Sequence, residues 1–191
     1  LTMGAPAITG VHPLGERTAD ELLALAAAAE ADSEHPLARA IVHAAKARAL
    51  TIAAPADFSS SPAVGVRAMV DGHTVQVGGP YLLKQEGVDE LPIADEWREE
   101  GAIILHVMVD GAVAGALRLA DEIRPTSRAT VEELHARGVT VVMITGDAEA
   151  VAASVSAELG ITRFFAGVRP EDKAAKIATL QAEGRSVAMV G

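Results

Sequence analysis

Two hydrophobic rhythms follow one another along the chain. From Thr18 to Glu30 the sequence is rich in Ala and Leu, strong helix formers, and Thr18 stands where a cap would. Asp32-Ser33-Glu34 interrupts this run. His35-Pro36 opens a second predicted helix to about Arg48, with Pro36 in the first turn, where Pro is tolerated. Residues 49–62 hold Pro55, three serines and Pro62, a loop composition. The β-type runs 64–70 and 73–78 flank Asp71-Gly72, and the runs 102–109 and 112–119 flank Asp110-Gly111. A two-residue Asp-Gly link between such runs predicts a hairpin. Short helices are predicted over 80–86 and 92–100. Residues 5–118 thus read as two helices followed by antiparallel strands, an α+β layout.

The rhythm changes after Asp121. Helices are predicted over 125–137, 147–159 and 170–183, with Gly138 and Gly160 past two of their ends. Between them lie a nearly all-apolar run at 139–144, a candidate strand at 163–166 and another at 187–190. Short apolar runs alternating with helices predict a parallel α/β sheet. A hinge near residues 119–121 would separate the two halves. No internal repeat is present.

Composition narrows the function. The 191 residues carry 16 basic and 26 acidic side chains, a net charge of −10, with no Lys/Arg block. That balance argues against general nucleic-acid binding, which needs basic surface. A small anionic ligand held at one helix N-terminus is still allowed. With no Cys, disulfides and thiolate metal sites are excluded. His12, His43, His73, His106 and His135 are scattered without ligand spacing, so no metal site is assigned. No apolar stretch approaches the ~20 residues of a membrane span, and residues 1–15 lack signal-peptide features. Both ends read as cut, so a piece of a longer protein is expected.

Four local features could carry chemistry, and each has a plain structural alternative. Residues 139–147 read as a strand, then Thr145-Gly146-Asp147, then a helix. Ligands of open α/β sheets bind at strand carboxyl ends, where a hydroxyl, a bare Gly and helix amides suit a phosphoryl group. The alternative is that Thr145 and Asp147 cap the next helix. Lys173, one turn into a helix opened by Pro170, is either a point charge for phosphoryl oxygens or a solvated Lys. His35 at a helix start can serve a purine ring or act as a cap. Gly65 in a strand permits close backbone approach by a ligand or marks a bulge.

Together, Ser33-Glu-His-Pro-Leu37, Thr145-Gly-Asp147 and Pro170-Glu-Asp-Lys173, ending in Val187-Ala-Met-Val-Gly191, form a specific order. This order resembles the large cytoplasmic loop of a P-type ATPase of the heavy-metal (type IB) subfamily, over essentially the whole chain. The Ser-Glu-His-Pro-Leu motif separates that subfamily from other P-type pumps. The resemblance implies a mixed fold, α+β and α/β. Residues 5–118 would be an antiparallel-sheet nucleotide-binding domain with helices. Residues 119–191, with 1–4, would be an incomplete Rossmann-like phosphorylation domain of haloacid-dehalogenase type. Asp121 matches the hinge acid. In the family, the phosphorylated Asp precedes Leu1, and Gly191 opens a motif whose Asp helps hold Mg²⁺. The chain is therefore expected to lack the nucleophile and a principal Mg²⁺ ligand, and to form no acyl-phosphate. Loss of the nucleophile-bearing strand would leave an exposed sheet edge, so the nucleotide-binding half is expected to be the better folded.

The resemblance also implies site roles. Glu30 and His35 would face adenine, and Gly65 and Gly78 would shape the nucleotide pocket. Thr145 and Gly146, with Asp147 beside them, would hold the transferred phosphoryl group, and Lys173 would offset its charge. The parent would be a copper-type pump driven by ATP and Mg²⁺, with copper or silver as the favoured cargo and zinc, cadmium or cobalt as other possible cargoes. Its other domains would be transmembrane and actuator domains in a bacterial plasma membrane, and the fragment would be monomeric. Two departures bear on affinity: Ala63 stands where the family often has Gly, and Gly79 where it usually has Asn. With 3% aromatic residues, stacking on Phe or Tyr is not expected, and Phe58 is left out of the site. A soluble haloacid-dehalogenase-type phosphatase would need an Asp-x-Asp motif, which is absent. A non-catalytic nucleotide-binding module is the third reading.

Overall fold

The computed structural model describes residues 1–190, apart from the side chain of Pro170. The Gly191 reading therefore lies outside the described residues. The chain forms a mixed α/β structure of two compact units, one of residues 2–122 and one of Leu1 with 123–191.

The first unit is built on a six-stranded sheet in the order β1-β6-β5-β4-β3-β2. Its strands are β1 (Thr2–Pro13), β2 (Ala56–Ser61), β3 (Gly65–Val70), β4 (His73–Gly78), β5 (Ile103–Val109) and β6 (Ala112–Ile123). The two Asp-Gly hairpins form as predicted, with Asp71, Gly72, Asp110 and Gly111 all at positive φ. Such turns match the twist of the flanking strands. Helices α1 (Ala19–Ala29) and α2 (Pro36–Ala47) cover one face. Leu105, Val107 and Val109 of β5 point into this core beside Val75 and Val77. The alternate residues Ile104 and Met108 pack on α4 (Ile93–Glu99) and α3 (Pro80–Glu86) respectively. Period-two alternation thus supplies both layers from one strand. Helix α1 sits close to the sheet because Ala26 to Ala29 are fully buried and small. Thr18 caps it in a reciprocal box with Glu21.

Three expectations for this unit are corrected. Residues 49–62 are not all loop, because β2 runs from Ala56 to Ser61 at the sheet edge. Its serines are exposed and its register is broken by a bulge between Ala56 and Ser59, so it lacks an alternating apolar signal. Strand β1 was not anticipated, since Gly4, Pro6 and Gly10 disguise it; an edge position tolerates them. The predicted hinge at 119–121 lies inside β6, where Asp121 Oδ1 accepts the Ala5 N–H at 3.1 Å.

The second unit holds α5 (Ser127–Ala136), β7 (Val142–Ile144), α6 (Glu149–Leu159), β8 (Arg163–Phe165), a 3-10 turn (Pro170–Asp172) and α7 (Lys173–Ala182). β7 and β8 pair in parallel, as the α/β rhythm predicts. The expected strand at 139–144 shortens to three residues, and residues 187–190 form no strand. Met189 and Val190 are exposed, so an apolar run alone, without a paired neighbour, does not make a strand here. The core is small: Val131, Met143, Ala152, Leu159 and Ile161.

Candidate functional site

In the first unit a cleft of about 740 Å³ opens where α1 ends, α2 begins and β3 and β4 meet. It gathers Glu30, His35, Gly65 and Gly78 from four separate stretches of sequence. No Lys or Arg lines it, whereas Asp32 and Glu34 do. Such a lining suits the uncharged part of a ligand better than its phosphates.

Glu30 follows the last turn of α1, where its N–H bonds Ala26 O at 3.0 Å. The residue is only 6% exposed, and Oε2 has no hydrogen-bond partner. Burial pushes its carboxyl up to about 7, against the opposing effect of a hydrogen bond from Ser33. A buried polar atom without a partner at the wall of a cleft is an unmet demand that a ligand can satisfy.

His35 is the N-cap of α2, its Nδ1 accepting the Leu37 N–H at 3.2 Å. That bond places the ring proton on Nε2, so the same imidazole can cap the helix and offer a donor to the cleft. The two readings of His35 are compatible.

Gly65 and Gly78 have a stricter reason to be glycine. A Cβ on Gly65 would lie 2.1 Å from Val77 O, and one on Gly78 would lie 2.0 Å from Val64 O. The close approach is between the two strands themselves. Gly65 also has φ +136°, in the region that favours Gly. Ala63 holds φ 64° without that freedom, whereas a side chain at Gly79 would meet nothing within 4 Å. The sequence reading missed Phe58, which lines the cleft from β2 and packs partly buried on the core. Its polar neighbours hid it.

A second cleft of about 690 Å³ is lined by Arg17, Glu21 and His73. Two of its titratable groups are already engaged, Glu21 with Thr18 and His73 with Asp110 at 2.6 Å. The Glu30 cleft is distinguished by a free buried oxygen.

In the second unit, Thr145-Gly146-Asp147 follows β7 directly. The Thr145 hydroxyl donates to Asp147 Oδ2 at 2.5 Å, and the Asp147 N–H reaches Thr145 Oγ1 at 3.2 Å. Backbone bonds Gly167 N to Asp147 O and Val168 N to Thr145 O tie this turn to the loop after β8. The capping alternative is not realised: α6 is preceded by Ala148 and has no side-chain cap. A Cβ on Gly146 would come no closer than 3.6 Å to Val168 O, so packing does not demand Gly there. Lys173 begins α7 in the stretch after that loop, half-buried and in no ion pair among the described residues. Among the described residues, no hydrogen bond or ion pair joins Lys173 to the Thr145–Asp147 turn. Among the described residues, no group of three or more His, Asp or Glu is placed to hold a metal ion.

With these features in place, comparison with known proteins assigns a class. Residues 1–191 match the haloacid dehalogenase-like hydrolase family, and the chain belongs to it. A copper-exporting P-type ATPase of Legionella pneumophila is 40% identical over 194 residues, covering all of this chain and 26% of that protein. The chain thus spans about a quarter of the length of the curated relatives it matches. A zinc-transporting PIB-type ATPase superposes with TM-score 0.84 at 32% identity, over 96% of this chain and 30% of that one. The catalytic domain of the CPx-ATPase CopB-B, described for its conformational changes upon nucleotide binding, superposes with TM-score 0.63 at 28% identity. That match covers all of this chain and 66% of the other.

Proposed function

We propose that this chain is the ATP-binding portion of a heavy-metal P-type ATPase, with copper as the transported ion. The observation that carries the reading is the cleft that brings Glu30 and His35 together beside Gly65 and Gly78. Unit 2–122 then serves as the nucleotide-binding domain and unit 123–191 as part of the phosphorylation domain. The base sits against Glu30 and His35, and the phosphates leave the cleft, whose lining offers them no cation. Thr145, Gly146 and Asp147 hold the transferred phosphoryl group, which Gly146 lets approach the backbone, and Lys173 offsets its charge. Phosphoryl transfer relies on positioning and electrostatics, which fits groups fixed on a turn and at a helix start.

The acceptor carboxylate belongs to the rest of the pump, so the chain alone forms no aspartyl-phosphate. Mg²⁺ would be supplied with the nucleotide. The described residues offer no cluster of three or more His, Asp or Glu for it. No described helix is long and apolar enough to cross a membrane, and the membrane spans and actuator are assigned to the remainder of the protein. The copper assignment rests on the relatives' names, and this chain acts as a monomeric cytoplasmic loop of that bacterial pump.

Titration of the chain with ATP, ADP and AMP, followed by calorimetry or NMR, tests the reading. Because the base carries recognition, the three should bind with affinities within a few-fold of one another, and shift perturbations should centre on Glu30 and His35. No saturable binding by a folded chain would overturn it.

A further inference from the structure

The feature that the nucleotide reading leaves unexplained is the state of the Glu30 carboxyl. Its Oε2 is buried without a partner in the wall of the cleft. An ionised carboxylate is acceptor-only, whereas the protonated acid offers one O–H donor and keeps an acceptor. The Watson–Crick edge of adenine presents an acceptor, N1, beside a donor, the 6-amino group. A carboxylate can take the amino hydrogen but sets its second oxygen lone pair against N1. The carboxylic acid satisfies both at once.

We propose that Glu30 receives adenine as a neutral carboxylic acid, so that base binding takes up one proton from solvent at this residue. This rests on the cleft being the nucleotide site. The surroundings favour the neutral form. Asp32, Glu34 and His35 flank Glu30 from the connecting turn, and Arg39, His43 and Lys46 of α2 share a smaller cleft with it. The strands facing it contribute only uncharged residues, Gly65, Val66, Val77, Gly78 and Leu105. None of the basic groups forms an ion pair with Glu30 among the described residues. Burial pushes the carboxyl up to about 7, outweighing the Ser33 hydrogen bond. A ring laid over it removes more water and strengthens that preference.

The test uses the whole 191-residue chain and adenosine, which has no phosphate to titrate. NMR titrations from pH 6 to pH 8 should show wild-type affinity falling about tenfold, as expected for a required proton on a group titrating near 7. Calorimetry at pH 8 in two buffers of different ionisation enthalpy should give close to one proton taken up per adenosine bound. Glu30→Gln, a neutral side chain with one donor and one acceptor, should bind at pH 6 within a few-fold of wild type and lose the pH dependence. Affinity that is flat or rises with pH in the wild type would overturn the proposal while leaving the nucleotide site intact. So would a Glu30→Gln chain that binds more weakly than wild type at pH 8. Absence of adenosine binding at every pH, in folded wild type and variant alike, would overturn the site reading and this proposal with it.

Discussion

The two units are built from similar lengths of helix but differ in what their strands achieve. Unit 2–122 has six strands and a principal core of twenty buried residues, from Leu22 to Leu119. Unit 123–190 has two three-residue strands and a core of five. Burial of apolar area is the dominant favourable term in folding, so local stability should follow this difference. The candidate sites follow it too. The Glu30 cleft is made by packing, since strands, a turn and a helix start converge on it. The Thr145–Asp147 turn is made by a local hydrogen-bond pattern that needs only β7 and β8 beside it.

The sharpest way to break this comparison is to add one carbon to a glycine in each unit. Gly65→Ala places a Cβ 2.1 Å from a backbone oxygen at φ +136°, and should cost more than about 3 kcal/mol in thermal or urea unfolding. Gly146→Ala meets nothing closer than 3.6 Å and should change stability by less than about 1 kcal/mol. Equal effects would mean that the close β3–β4 approach is not what demands glycine. Amide exchange asks the same question without mutation. Protection of Val75, Val77 and Val107 should exceed that of Met143 by on the order of a hundredfold. Comparable protection would show the small core to be as cooperative as the large one.

Glu30 sharpens the role of the cleft. A carboxyl raised from 4.5 to about 7 on folding holds its proton in the native state while the unfolded chain has released it. Stability therefore declines as pH rises from about 4.5 to about 7 and stays low above that. Glu30→Gln should stabilise the ligand-free chain by about 2–3 kcal/mol at pH 8 and by little at pH 4.5. Thermal melts at the two pH values check this, and an equal gain at both would mean that charge burial is not the cause.

His35 has two separable duties. His35→Ala should lose the α2 cap, about 1 kcal/mol, together with about tenfold in ATP affinity. His35→Asn should keep the cap and lose only the affinity. ATP affinity that follows the cap alone, unchanged in His35→Asn, would remove the second duty. The smallest effect is at Ala63, whose φ of 64° a glycine adopts without strain. Ala63→Gly should stabilise by about 0.5–1 kcal/mol in the same melts, the relief of strain exceeding the added freedom of the unfolded chain.

Features governed by neighbours in sequence were legible without coordinates. The Asp-Gly turns, the Thr18 cap, the Pro36 helix start and the Gly160 helix end are local, since each depends on a few φ and ψ angles and the groups within a turn of them. The motif order was legible too, and it pointed to the family. Features set by long-range pairing were not. The edge strands β1 and β2 carry weak alternation because neither has a fully buried face, and 187–190 is apolar yet unpaired. Phe58 looked like a loop residue until β2 turned it toward the core.

Glu30 shows the division most plainly. Its identity and its place after a helix can be read from the chain, but its burial, its unpartnered oxygen and its raised pKa exist only because α1, α2 and the sheet exclude water around it. Gly65 and Gly78 make the same point sterically. The sequence marks them as glycines, and only the pairing of β3 with β4 says that a carbonyl oxygen occupies the space a side chain would need.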